Sequence, residues 1–237
     1  MLTKSSTGTQ RRIRWHPVSP DTWLPTRKAF ESRREWWSMT EAEETYYTEE
    51  RWQNWLSRVE EEELDPENED SARLLLNLQD DAAIAVAKIV SAFEEGRLDD
   101  EEAIEELERV RTIVLAEPEL EIDDEAARED KAMLIDGVQT SLVCVFYAAE
   151  EYIVAGASEE APLEEYVEAA AAAEQEDDMD AALGYLVQAG TRIIAGDELD
   201  MTVAEELEYG LVSEWVNGLD SLQSAMSDPE VVEEEED

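Results

Sequence analysis

Residue types that carry nucleophilic, acid–base or metal chemistry are scarce in this chain, with one exception. There is one histidine, His16, and one cysteine, Cys144, against 63 aspartates and glutamates in 237 residues. A Ser-His-Asp or Cys-His site needs an imidazole to take the nucleophile's proton. The only imidazole lies in a Pro-rich stretch, where it reads as a solvated surface residue. A di-iron bundle is the obvious enzyme for a helical, glutamate-rich chain, but it wants two Glu-x-x-His pairs and the sequence has none. His-Glu-x-x-His zinc hydrolases are excluded on the same ground. One cysteine closes no intramolecular disulfide and builds no thiolate zinc site, which fits a reducing compartment.

Carboxylates are so abundant that spacing alone says little. Glu102, Glu105, Glu106 and Glu108 could be ligands, but on a helix they share the side opposite Ile104, Leu107 and Val110 and read as a solvated face. Asp177-Asp178-Met179-Asp180 hints at a calcium loop. Counted from Asp177, the sixth position, where an EF-hand needs glycine, is Ala182, and the twelfth, where it needs an acid, is Gln188. The cluster fits better as negative charge at a helix N-terminus. Gly184, Gly190 and Gly196 are isolated, without the Gly-Lys-Ser of a phosphate loop.

Cys144 sits between Val143 and Val145 in the most apolar segment, so it reads as a buried, inert thiol. Lys88 lies in an apolar run, but Asp81 and Glu95, seven residues to either side, place its stripe in solvent. Trp52 and Trp55, preceded by Tyr46-Tyr47, are expected to dock the first helix on the core; the rival reading is an exposed partner anchor. No catalytic, cofactor-binding or metal-binding residue is assigned, and no cofactor is implied.

The elements behind these residues all read as helices. Thr48 caps a helix over 49–63 with Trp52, Trp55, Leu56 and Val59 on one face, and Asp65-Pro66 breaks it. A second runs from about Ser71 to Glu95 and stops at Gly96. Asp99 and Glu102 form a capping box for a third, which ends before Pro118. The fourth, over 125–154, is apolar nearly all round at 141–149, as in a helix at the centre of a bundle, and Gly156 stops it. That run is shorter than the roughly 20 apolar residues that span a bilayer, so no membrane segment is expected. Helices over 163–173 and 179–194 form a hairpin that faintly resembles one tetratricopeptide unit, far from a repeat array. A last helix is expected over 202–226. The fold class is all-α: a single-domain bundle of six to seven helices.

Charge is distributed unevenly. Residues 1–38 hold eight basic residues against three acidic ones, a net +5; the rest hold ten against 60, a net −50. The 1–38 leader also contains four of the seven tryptophans and no sustained periodicity. Three readings compete for it. In the favoured one translation starts at Met39 and the leader is absent from the cellular protein. In the others it is a disordered basic arm touching nucleic acid, or an export signal; Arg11-Arg12 mimics a twin-arginine pair but lacks the apolar run that should follow. Residues 39–226 are expected to form the domain and 227–237 a disordered acidic tail.

An acidic surface repels phosphates, so the body is not expected to bind nucleic acid or anionic membranes. Acids spread over every exposed helical face, with only four lysines among 18 basic residues. That pattern points to adaptation to molar salt, where the Debye length falls to about 3 Å.

Three stretches resemble an uncharacterised euryarchaeal family of unknown function seen in salt-loving archaea. They are Tyr46-Tyr47-Thr48-Glu49-Glu50-Arg51-Trp52, Leu74-Leu75-Leu76-Asn77-Leu78-Gln79-Asp80-Asp81 and Leu142-Val143-Cys144-Val145-Phe146. The resemblance covers roughly residues 41–226. It implies an archaeal cytoplasm and brings no activity or site residues with it. The expectation is a cytoplasmic interaction or scaffold domain, with a protein partner or a second copy of itself. The alternatives are a carboxylate-using enzyme or metal-binding bundle, and an acidic DNA mimic acting on a basic partner.

Overall fold

The computed structural model describes residues 45–62, 64, 69–200, 202–203 and 207–227. The leader at 1–38, the start at Met39, the Asp65-Pro66 break and the tail beyond Ser227 lie outside these residues. Seven helices are seen and no strand among the described residues: α1 (Glu49–Glu61), α2 (Glu69–Glu94), α3 (Asp100–Val114), α4 (Glu125–Ala155), α5 (Leu163–Gln175), α6 (Met179–Ile194) and α7 (Leu211–Ser227). The fold is all-α.

Most helix ends are written locally. The Thr48 hydroxyl accepts from Arg51 N at 3.1 Å and starts α1. Asp99 and Glu102 exchange bonds of 2.9 and 3.0 Å, the reciprocal pair that satisfies two orphan N–H groups of α3. Gly96, Gly156 and Gly196 follow α2, α4 and α6 with φ of 71°, 77° and 100°, a region that side chains disfavour. Two C-termini are instead closed from a distance by α4. Lys131 Nζ donates to the carbonyls of Glu60 and Glu62 at 2.8 Å, and Gln139 Nε2 to those of Val114 and Ala116 at 2.7 and 2.8 Å.

α4 is the hub and packs against α2, α3, α6 and α7. α5 pairs with α6 and also touches α7, while α1 lies on α2 and α3. Leu142, Cys144, Val145, Phe146, Ala148 and Ala149 are buried, as the apolar run predicted. Two glycines let neighbours approach α4 closely. A Cβ at Gly218 of α7 would collide with the Ser141 carbonyl, and one at Gly190 of α6 with the Ala148 side chain. α4 has 31 residues and a stretch of mean hydropathy 1.5, long and apolar enough by length and composition to cross a membrane. That corrects the expectation that its apolar run falls short. Yet 56% of that stretch is buried against other helices, the position of a core helix.

The expected final helix over 202–226 is not continuous. Thr202 and Val203 are helical, but 207–210 are not, and α7 starts at Leu211. The reason is tertiary. The Glu174 carboxylate of α5 accepts from Val212 N at 3.1 Å and caps α7 from another helix. It occupies the space beside Gly210, where a Cβ would lie 2.6 Å from Glu174 Oε1. Ser213 Oγ completes the turn, accepting from Gly210 N at 3.0 Å.

Candidate functional site

Convergent polar side chains inside a bundle are where a site would be sought, and the strongest convergence surrounds Asp81 on α2. Its side chain is fully buried. Tyr47 Oη donates to it at 2.9 Å, Trp55 Nε1 at 2.8 Å and Arg51 Nε at 2.9 and 3.0 Å, with Arg51 Nη2 closing a bidentate pair. The donors fall four residues apart, at 47, 51 and 55, so the entry to α1 presents them along one line. Arg58 stacks on the Trp55 ring at 4.4 Å and Arg51 lies 5.9 Å from the Tyr47 ring centre, so cations cover both aromatics.

This arrangement favours holding over reacting. Both Asp81 oxygens are taken by donors, which leaves little acceptor capacity for a substrate proton. Burial, and then the charge and hydrogen bond of Asp81, push the Tyr47 hydroxyl far above its ordinary range, so it stays a proton donor. Arg51 neutralises the carboxylate, as a buried charge requires.

Two further networks tie helices in the same way. Gln79 Nε2 donates to the Asn217 carbonyl at 3.1 Å and to Ser221 Oγ at 2.8 Å, and its Oε1 accepts from Ser141 Oγ at 2.6 Å. One amide thus joins α2, α4 and α7. Thr191 of α6 accepts from Ser158 N at 3.1 Å, and Arg192 Nη1 donates to the Ser158 carbonyl at 3.0 Å, fastening the α4–α5 connection. Beside the Gln79 network, Asp80 and Asp220 are half-buried. Desolvation raises both carboxyls above their ordinary value; Asp220 raises Asp80 further, and a hydrogen bond from Ser221 opposes the rise.

The residues singled out by sequence are dispersed. Trp52 and Trp55 are buried, so the aromatic entry docks on the core. Lys88 is exposed as expected, but its assumed neighbour in solvent, Asp81, is only 1% exposed. Glu106 is likewise corrected: it is buried rather than on the solvated face, and pairs with Arg109 at 2.7 Å, while Glu105 and Glu108 stay exposed. Asp178 caps α6, accepting from Ala181 N at 3.2 Å. Cys144 is fully buried, and desolvation pushes its thiol far above the ordinary range. His16 lies outside the described residues, among which no three His, Cys, Asp or Glu side chains gather as a metal would need.

Sequence reasoning missed Tyr47, Arg51 and Asp81 as a unit. The signal was available in the four-residue spacing of the donors, but the acceptor lies 26 residues beyond Trp55. These residues do sit in two of the stretches that carried the family resemblance. No curated protein and no solved structure matches the chain. Its residues 45–235 match the model of a family described as an uncharacterized protein conserved in archaea (DUF2150), and the chain belongs to that family.

Proposed function

We propose that this protein is a non-catalytic interaction domain of a salt-adapted archaeal cytoplasm. The observation that carries this reading is where its buried polar groups go. Gln79, Asp81, Glu106, Ser141, Thr191 and Ser221 each form hydrogen bonds within the bundle, most of them joining one helix to another. Such groups specify how helices assemble. Other acids, by contrast, stand on outer faces: Glu101, Glu105 and Glu108 on α3, and Glu164, Glu165 and Glu168 on α5 are all exposed. A rigid scaffold under a charged surface suits macromolecular contact in molar salt, where such charges are screened.

Two measurements test the reading. Far-ultraviolet circular dichroism during dialysis from molar KCl to about 0.1 M should show reversible loss of helix, because the screening length grows to about 10 Å. An unchanged helical signal would count against salt adaptation. Affinity purification at molar KCl should recover a stoichiometric partner or the protein itself; a clean monomer without a partner sinks the interaction reading.

A further inference from the structure

The two ends of α1 are held in different ways. The N-terminal end has the Thr48 cap, Glu49 and Glu50 at the positive end of the helix dipole, and the bidentate Arg51–Asp81 pair. The C-terminal end carries Glu60, Glu61 and Glu62, where the dipole is already negative. Arg58 of the last turn is stacked on the Trp55 ring, and the sequence after it has eight acids before the next base, Arg73. The 115–124 connection meets this end with five acids and no base; Glu121 N donates to Glu60 Oε1 at 2.6 Å. The cation that closes the end is Lys131 of α4, on the Glu60 and Glu62 carbonyls at 2.8 Å, with Glu129 and Asp130 exposed beside it.

We propose that α1 is a salt-released arm: held on α2 and α3 in molar salt, it parts from them as salt falls, starting at Lys131, while α2 to α7 stay folded. Screening sets the direction. Side chains one turn apart on a helix are separated by about 5–6 Å. That exceeds the screening length of about 3 Å in 1 M salt and falls inside the roughly 10 Å of 0.1 M. As salt is withdrawn, Lys131 therefore faces an excess of carboxylates that molar salt had masked. Little else secures this helix. Tyr47, Trp52, Trp55, Leu56 and Val59 are buried on two neighbours, whereas α4 is covered by four. Elements with few buried contacts open before the core does. The Asp81 set decides when the arm lets go, because a buried carboxylate that loses Arg51 has to meet water. Release bares Trp52, Trp55 and Asp81 together, and so adds an aromatic surface to a charged one.

This inference rests on the salt-adapted part of the proposed function but fails separately from it. Hydrogen exchange on the full chain, read by mass spectrometry, follows each helix between molar and about 0.1 M KCl. The α1 amides should lose protection at a higher KCl concentration than those of α4. Lys131→Met should speed α1 exchange about tenfold, by a factor that grows as salt falls, and Lys131→Arg should stay near the wild type. Glu61→Gln with Glu62→Gln should keep α1 protected at lower KCl than the wild type needs. Glu165→Gln with Glu168→Gln makes the same change of net charge on α5 and should not. Loss of protection in α1 and α4 together overturns the arm and leaves salt adaptation standing. So does an equal effect of the two glutamine pairs on α1, or an effect of Lys131→Met that does not vary with salt. Protection retained by every helix down to about 0.1 M KCl overturns both.

Discussion

Trp55 of α1 donates its indole N–H to Asp81 of α2 at 2.8 Å, so an aromatic that reads as core in sequence also completes the shell of a buried carboxylate. This bond and its two companions fasten α1 to the rest of the bundle. Trp52, Trp55, Leu56 and Val59 supply the apolar area beneath it.

Asp81→Ala removes the acceptor from a buried tyrosine, a buried indole and a half-exposed arginine. Stranding such donors costs about 3 kcal/mol once the exposure of Arg51 is allowed for. Urea denaturation in molar KCl, followed by tryptophan fluorescence, should show that loss. Asp81→Asn keeps one acceptor oxygen and should recover part of it.

Gly218→Ala and Gly137→Ala make opposite changes. At Gly218 the new methyl meets the Ser141 carbonyl of α4, and overpacking against backbone should cost about 2–3 kcal/mol. At Gly137 no atom lies within 4 Å, so alanine should raise stability by about 0.5–1 kcal/mol through helix propensity. Thermal melts of the two variants should move to either side of the wild type.

Asp80 and Asp220 have carboxyls raised above 3.8 in the folded state by desolvation. Between the unfolded and the folded value the native protein therefore holds protons that the unfolded chain has lost. Their contribution is fully present below the unfolded value and is lost as pH rises through the folded one. Asp80→Asn abolishes that dependence at one site and should raise stability at neutral pH. The difference between wild-type and variant urea midpoints should shrink as pH is lowered toward 4; a difference that does not vary with pH would refute the assignment.

The Cys144 thiol is inaccessible and held in its protonated form by burial in α4. Alkylating reagents should modify it only through opening of the bundle. Its labelling rate should follow global unfolding across a urea series; rapid labelling of the native protein would contradict the central position of α4.

What the sequence determined by itself is the set of elements and most of their ends. Thr48, the Asp99–Glu102 pair and the glycines at 96, 156 and 196 act within a turn of their own position, so their types and spacing suffice. The apolar middle of α4 marked it as the central helix because a helix without a polar side has to be covered nearly all round. The tertiary structure decided which polar groups lie inside. Asp81 carries the same side chain as aspartates on the surface, and only the arrival of Arg51, Trp55 and Tyr47 separates it; Glu106 has its partner, Arg109, three residues along the same helix, and it is the packing around α3 that buries it. The start of α7 was likewise settled by Glu174, 38 residues away from Val212, whose N–H it accepts. Such pairings depend on which helices meet, and a helix pattern records the face that is buried without naming what it is buried against.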